Sequence, residues 1–210
     1  MPLKTNLAQR LKLETKDLHA ATERSGTMAQ LLAGRLPLAG YGALLRNLHA
    51  IYTALEAALQ QAPAHAAVQR VHDPAMHRAA ALAADLQSLH GPHWAHEIPV
   101  QPAALAYAQR LHLLAQAQSP GLVAHAYARY LGDLHGGQIL KRLVARSYGP
   151  AAATAFYEFG DDTQVLALRQ ALRRALADLP ITAAEANAIV EEARWAFVQH
   201  QHLFEELASA

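Results

Sequence analysis

Apolar residues recur along the chain at steps of three and four. Leu44, Leu48, Ile51, Leu55 and Leu59 form one such stripe, Leu82, Leu86 and Leu89 a second, and Leu105, Ala108 and Leu111 a third. That spacing predicts amphipathic α-helices, each with one buried face. The alternation of β-branched and aromatic residues that marks a half-buried strand is nowhere sustained. Boundary signals agree with helices. Ser119-Pro120 places a cap residue before a first-turn proline, and Thr182 with Glu185 makes a capping box for the last helix. Gly34, Pro37, Gly91-Pro92, Gly149-Pro150 and Pro180 punctuate the rest. The pattern predicts an all-α fold of seven or eight helices with short connections, one compact domain over residues 1–210, without internal repeats.

Composition removes several classes of function. Lys and Arg number 18 against 17 Asp and Glu, a net charge of +1, which is too balanced for nucleic acid or an anionic membrane to be the main partner. Cysteine is absent, so disulfides, thiolate nucleophiles, iron–sulfur clusters and Cys-ligated zinc are all excluded. The opening "MPLKTNLAQRLK" has no apolar core of signal-peptide length, and Arg and His interrupt the most apolar regions every few residues. A cytoplasmic protein without a membrane anchor is expected.

The stretch "YLGDLHGGQ" sits inside what reads as one long helix, from "SPGLVAHAYA" to "KRLVARSYG". Gly132, Gly136 and Gly137 there cost about 1 kcal/mol each against alanine, about 3 kcal/mol together. Something must require bare backbone. A phosphate loop fails, because Gln138 and Ile139 follow the glycines and no strand precedes them. Close packing of another helix is the bland reading. A flat ligand lying on the backbone is the third, and it also explains the polar Asp133 and His135 among the glycines, since a carboxylate in a smooth pocket suits proton transfer.

A large planar ligand suggests haem, and without cysteine its axial ligand must be His, Met or Tyr. The chain has 13 histidines. His19 with Glu23 and His202 with Glu206 each place a glutamate one helical turn after the histidine, an arrangement suited to holding the second ring nitrogen. Lys12, Thr15, His19 and Glu23 follow one another at steps of three, four and four, so they share a face of the first helix. A cation and a hydroxyl beside an imidazole suit a ligand that carries carboxylates. Any single histidine could equally be a surface or hydrogen-bonded structural residue.

Five segments carry a resemblance to the haem oxygenases, in order and along nearly the whole chain. "LETKDLHAATE" resembles the proximal-helix segment and "AHAYARYLGDLHGGQ" the distal-helix signature, while "IYTALE", "HGPHW" and "EEARWAFVQHQHLFEEL" match between and after them. The resemblance implies haem b as cofactor and substrate, sandwiched between a proximal helix and a kinked distal helix. It further implies cleavage to biliverdin, carbon monoxide and ferrous iron, with O2 and electrons from an external redox partner. It assigns His19 as the iron ligand with Glu23 near its ring, and Asp133 as the distal carboxylate that holds a water network. Tyr52 and Arg129 are members of that network. Gly132, Gly136 and Gly137 lie under the haem. Lys12, Thr15, Tyr127, Arg169 and Arg173 are implied as contacts of the haem and its propionates, with Met28, Phe197 and Phe204 in the pocket wall. Arg169, Arg173 and Arg174 crowd like charges on one helix, which two propionates would turn into a clamp.

His135 departs from the pattern, because the family commonly carries serine there. Its ring could turn away and bond locally, or add a distal hydrogen bond or a sixth ligand. Arg169 replaces a lysine that is also common. The membrane tail of animal members is lacking, which points to a soluble bacterial enzyme, a monomer served by a ferredoxin- or flavoprotein-type donor. A haem carrier or sensor on the same scaffold is the alternative. A di-iron bundle would need paired Glu-x-x-His motifs, and the sequence has none.

Overall fold

The computed structural model describes residues 6–62 and 64–209. Among them the chain forms twelve α-helices and no strand. In order these are α1 (Leu7–Glu14), α2 (Lys16–Glu23), α3 (Gly26–Leu32), α4 (Leu38–Gln61), α5 (Ala66–Val71) and α6 (Ala79–His90). Then follow α7 (Trp94–Glu97), α8 (Pro102–Gln116), α9 (Leu122–Ala126), α10 (Gln138–Tyr148), α11 (Asp162–Ala177) and α12 (Ala183–Ser209). Eight of them run for eight residues or more, which matches the expected number. The other four are too short for a periodicity to show.

The first two apolar stripes pack as expected. All five α4 residues of the first are buried, joined by Tyr41, Leu45 and Tyr52. Each leucine removed from water contributes about 1.5–3 kcal/mol, so this helix anchors the core. It packs on α6 and α8, while α12 packs on α2, α3, α8 and α9. The third stripe differs. Leu111 is buried as expected, but Leu105 is 55% exposed, and α8 buries Ala103, Ala104, Tyr107 and Leu114 beside Leu111 instead. The small alanines allow α8 to approach α4 closely.

Two local readings need correction. The stripe through Lys12 and His19 lies on two helices, not one. Thr15 sits between them at φ −110° and ψ 1°, and its hydroxyl donates to the Leu11 carbonyl at 2.7 Å, a bond that bends helices. Ser119 does accept a backbone bond, from Gly121 at 3.1 Å, but α9 starts only at Leu122, so Pro120 lies in the turn before it. The capping box at Thr182 forms as expected, with Glu185 N donating to Thr182 Oγ1 at 3.2 Å and Thr182 N donating to Glu185 Oε2 at 2.7 Å.

The connection between α10 and α11 backs the distal segment and is pinned from three directions. Asp85 of α6 accepts from the Ala155 and Phe156 backbone at 2.9 and 2.8 Å. Tyr41 donates to the Ala153 carbonyl at 2.8 Å. Arg78 donates to the Glu158 carbonyl and lies 4.0 Å from the centre of the Phe159 ring. These bonds fix Phe156 and Tyr157 behind the long glycine-bearing helix. Among the described residues no helix is long and apolar enough to cross a membrane.

One contact of α3 leaves no room for a side chain. Gly26 has φ +38°, and a Cβ there would lie 1.9 Å from the Phe204 carbonyl oxygen of α12. Gly26→Ala is therefore expected to lower stability by about 3 kcal/mol, seen as an earlier midpoint in urea denaturation. A midpoint equal to wild type would show that α3 docks without this approach.

Candidate functional site: open glycine backbone beside a buried carboxylate

The distal segment stays helical from α9 into α10 but changes pitch on the way. Residues 127–131 and 133–137 form two π turns, with Gly132 between them at helical φ −61° and ψ −48°. Such turns widen a helix by one residue and recur at functional sites. The three glycines then divide. A Cβ at Gly132 or Gly136 would meet no atom within 4 Å, so no neighbouring helix demands their bareness. Gly137 is buried, and a Cβ there would lie 3.3 Å from the Tyr157 ring. Packing explains Gly137; it does not explain the other two.

Beside that open backbone lies a buried polar cluster. Tyr52 of α4 donates its hydroxyl proton to Asp133 Oδ2. Arg129 Nε donates to the Tyr52 oxygen at 3.1 Å, and Arg129 Nη2 stands 3.5 Å from Asp133 Oδ1. Arg129 Nη1 donates to His200 Nε2 at 2.9 Å, and His200 Nδ1 donates to the Ala196 carbonyl at 2.7 Å. His200 is thereby held as the neutral Nδ1–H tautomer. Burial, then the Arg129 charge, drives its pKa well below the imidazole range. Burial pushes the Asp133 carboxyl up, opposed by Arg129, the Tyr52 bond and Arg78. Burial likewise pushes the Tyr52 hydroxyl far up.

Other candidate residues come from α1, α2, α11 and α12. His19 is about half exposed, with Nδ1 3.8 Å from Glu23 Oε2 and its ring 5.7 Å from Phe197, edge to face. Thr15 is buried, and its hydroxyl lies 3.5 Å from Tyr127 OH, which joins the α1–α2 bend to the first π turn. Lys12, Arg169 and Arg173 all act on His135 electrostatically, so α1 and α11 bring three cations to the edge of the distal helix. Arg174 turns elsewhere and lines a surface hollow with Arg70 and Asp178.

A family model described as "Heme oxygenase" matches residues 5–206. The chain belongs to the haem oxygenase family. It is 36% identical to "Heme oxygenase 1" of Synechocystis sp. over 206 residues, covering 98% of this chain and 86% of that protein. Identity to "Heme oxygenase 1" of Homo sapiens is 34%, covering 96% of this chain and 72% of that one. The crystal structure of heme oxygenase-1 from Synechocystis sp. PCC6803 in complex with heme superposes with a TM-score of 0.91 at 37% identity, covering 97% of this chain and 93% of that one.

Against the residues that the haem oxygenase motifs single out, the structure differs in detail. Tyr52, Arg129 and Asp133 meet, and the cations Lys12, Arg169 and Arg173 gather at one edge. Thr15 commits its hydroxyl to Leu11, so it reaches Tyr127 rather than open space. Phe204 is 2% exposed and packs in the core near His200, so it is a core residue rather than an open wall. Met28 is half-buried against the same core. His202 loses its suggested partner, since Glu206 accepts instead from the Ala103 backbone at 3.0 Å. His135 engages both ring nitrogens, which favours the local reading over a sixth ligand.

Sequence reasoning missed His200 and a second buried cluster behind it. Tyr107 OH and His125 Nδ1 are 2.8 Å apart, His125 Nε2 is 3.2 Å from Glu192, and Glu192 accepts from Arg110 Nε at 2.9 Å. Burial raises the Glu192 carboxyl, but bonds from Arg110 and His125 outweigh it and hold the pKa down to about 2. The signal was present: Glu192 and His200 lie on the apolar stripe of α12 with Ile189, Ala193 and Ala196.

Because Arg129 opposes the burial penalty, Arg129→Met should push the Asp133 carboxyl up further. An infrared titration is expected to show the protonated carboxylic band persisting to higher pH than in wild type, and Arg129→Met/Asp133→Asn identifies the band by its loss.

Proposed function

We propose that the open backbone of the distal segment binds haem b as cofactor and substrate and that the protein opens its ring to biliverdin, carbon monoxide and ferrous iron. The observation that carries this reading is the bare, open backbone of Gly132 and Gly136 directly beside the buried Asp133. The donor set fits a haem. A half-exposed imidazole stands against Phe197, and the three cations suit two propionates. When bound, haem supplies the iron at which O2 is reduced and the ring carbon that is oxidised.

The protein's own residues then have distinct tasks. His19 would hold the haem iron, with Glu23 beside the Nδ1 edge of its ring. Lys12, Arg169 and Arg173 hold the propionates and orient the ring, with Tyr127 beside them. Phe197 walls the proximal face. Gly132 and Gly136 keep side chains off the distal face, so geometry there is set by backbone. Asp133 holds water and passes protons at its carboxyl oxygens. Tyr52 and Arg129 fix that carboxylate's orientation and oppose its neutralisation. A carrier would have no use for a buried proton-exchanging group of this kind. The reading includes a soluble ferredoxin- or flavoprotein-type electron donor, a monomer and a cytoplasmic location.

Asp133→Ala is expected to take up haem normally while biliverdin formation falls by about 100-fold or more, followed by absorption spectra under reductant and O2. Unchanged yield would remove Asp133 from the chemistry. His19→Ala should lose activity and recover part of it with added imidazole. Full activity without imidazole would assign the iron to another residue.

A further inference from the structure

His135 has no task in the reading above, yet both of its ring nitrogens are engaged. Nδ1 lies 2.9 Å from the Leu131 carbonyl, one turn back on the distal helix. A carbonyl can only accept, so Nδ1 carries the proton and Nε2 is left as an acceptor. Arg173 of α11 fills that position, with Nη2 2.9 Å from Nε2. The charged groups facing the ring are Arg173 and Arg169 from α11 and Lys12 from α1. Burial and then those charges disfavour its protonation, against the Leu131 bond. The neutral tautomer that the geometry demands is therefore also the one the surroundings favour.

Arg173 itself is exposed, and a long side chain at a surface samples many rotamers. Fixing it before a ligand arrives removes an ordering cost from binding. We propose that His135 is a positioning residue for Arg173: its imidazole, locked to the distal helix through Leu131, holds the guanidinium aimed at a carboxylate of the ligand at the edge of that helix. A side chain as short as serine at this position could not make that bridge. The inference rests on the haem reading and assigns this chain's own way of presenting one propionate contact.

The test is a hemin titration of wild type, His135→Ala, His135→Gln, Arg173→Ala and the double variant His135→Ala/Arg173→Ala, repeated with hemin dimethyl ester, which lacks free carboxylates. His135→Ala should weaken hemin binding by about three- to ten-fold, the range of one hydrogen bond. His135→Gln should regain most of it, because its amide oxygen can accept near the Nε2 position. The double variant should bind like Arg173→Ala alone, and the ester should bind wild type and His135→Ala equally. Equal hemin affinity of His135→Ala and wild type, or an independent loss in the Arg173→Ala background, overturns the assignment. So does an equal loss with the ester, which would mark a packing defect. A wild-type protein that takes up no hemin overturns the haem reading first, and this inference with it.

Discussion

A carboxyl group buried inside a helical core needs fixed partners to replace the water it loses, and Asp133 finds them through three elements at once. Arg129 comes from one turn earlier on its own helix, Tyr52 from α4, and His200 of α12 anchors the far side of the guanidinium. Removing any of them leaves a buried charge or dipole without a partner, a loss far larger than the net worth of one bond. The cluster therefore ties α4, the distal segment and α12 into a fixed mutual geometry. It also leaves Asp133 poised, since burial and the neighbouring cations pull its protonation in opposite directions.

The neighbouring glycines show why composition alone misreads a helix. Gly137 faces Tyr157 and behaves as ordinary packing, whereas Gly132 and Gly136 face open space, where alanine would meet no atom within 4 Å. Their stability cost is thus not repaid within the protein fold. The same surface supports the proposed haem contact, while the Phe156 and Tyr157 connection behind it keeps the helix from yielding.

Much of the scaffold was legible from spacing. The α4 stripe, the Thr182 box and the glycines ending α3, α6 and α10 are local signals, and each formed as read. Leu105 misled because a run of alanines on α8 hid which face was apolar. The break at Thr15 was invisible because one hydroxyl-to-carbonyl bond makes it. Site residues were harder, since their partners lie far apart: Tyr52 and Asp133 are separated by 81 positions, and His125 and Glu192 by 67. Spacing could group Lys12 with His19, but only family resemblance joined Lys12 to Arg169 and Arg173, and it could not foresee what His135 does with the last of these.

The two π turns have a further consequence for how this segment can change by insertion or deletion. Each residue of a regular helix advances the side-chain direction by about 100°. A wide turn absorbs one extra residue, and losing that residue would restore regular winding at little cost to the backbone. In a segment wound regularly throughout, the same one-residue deletion would swing everything beyond it by about that angle, enough to carry a side chain such as Asp133 away from Tyr52. The segment's angular phase, more than its length or helicity, is what the π turns preserve.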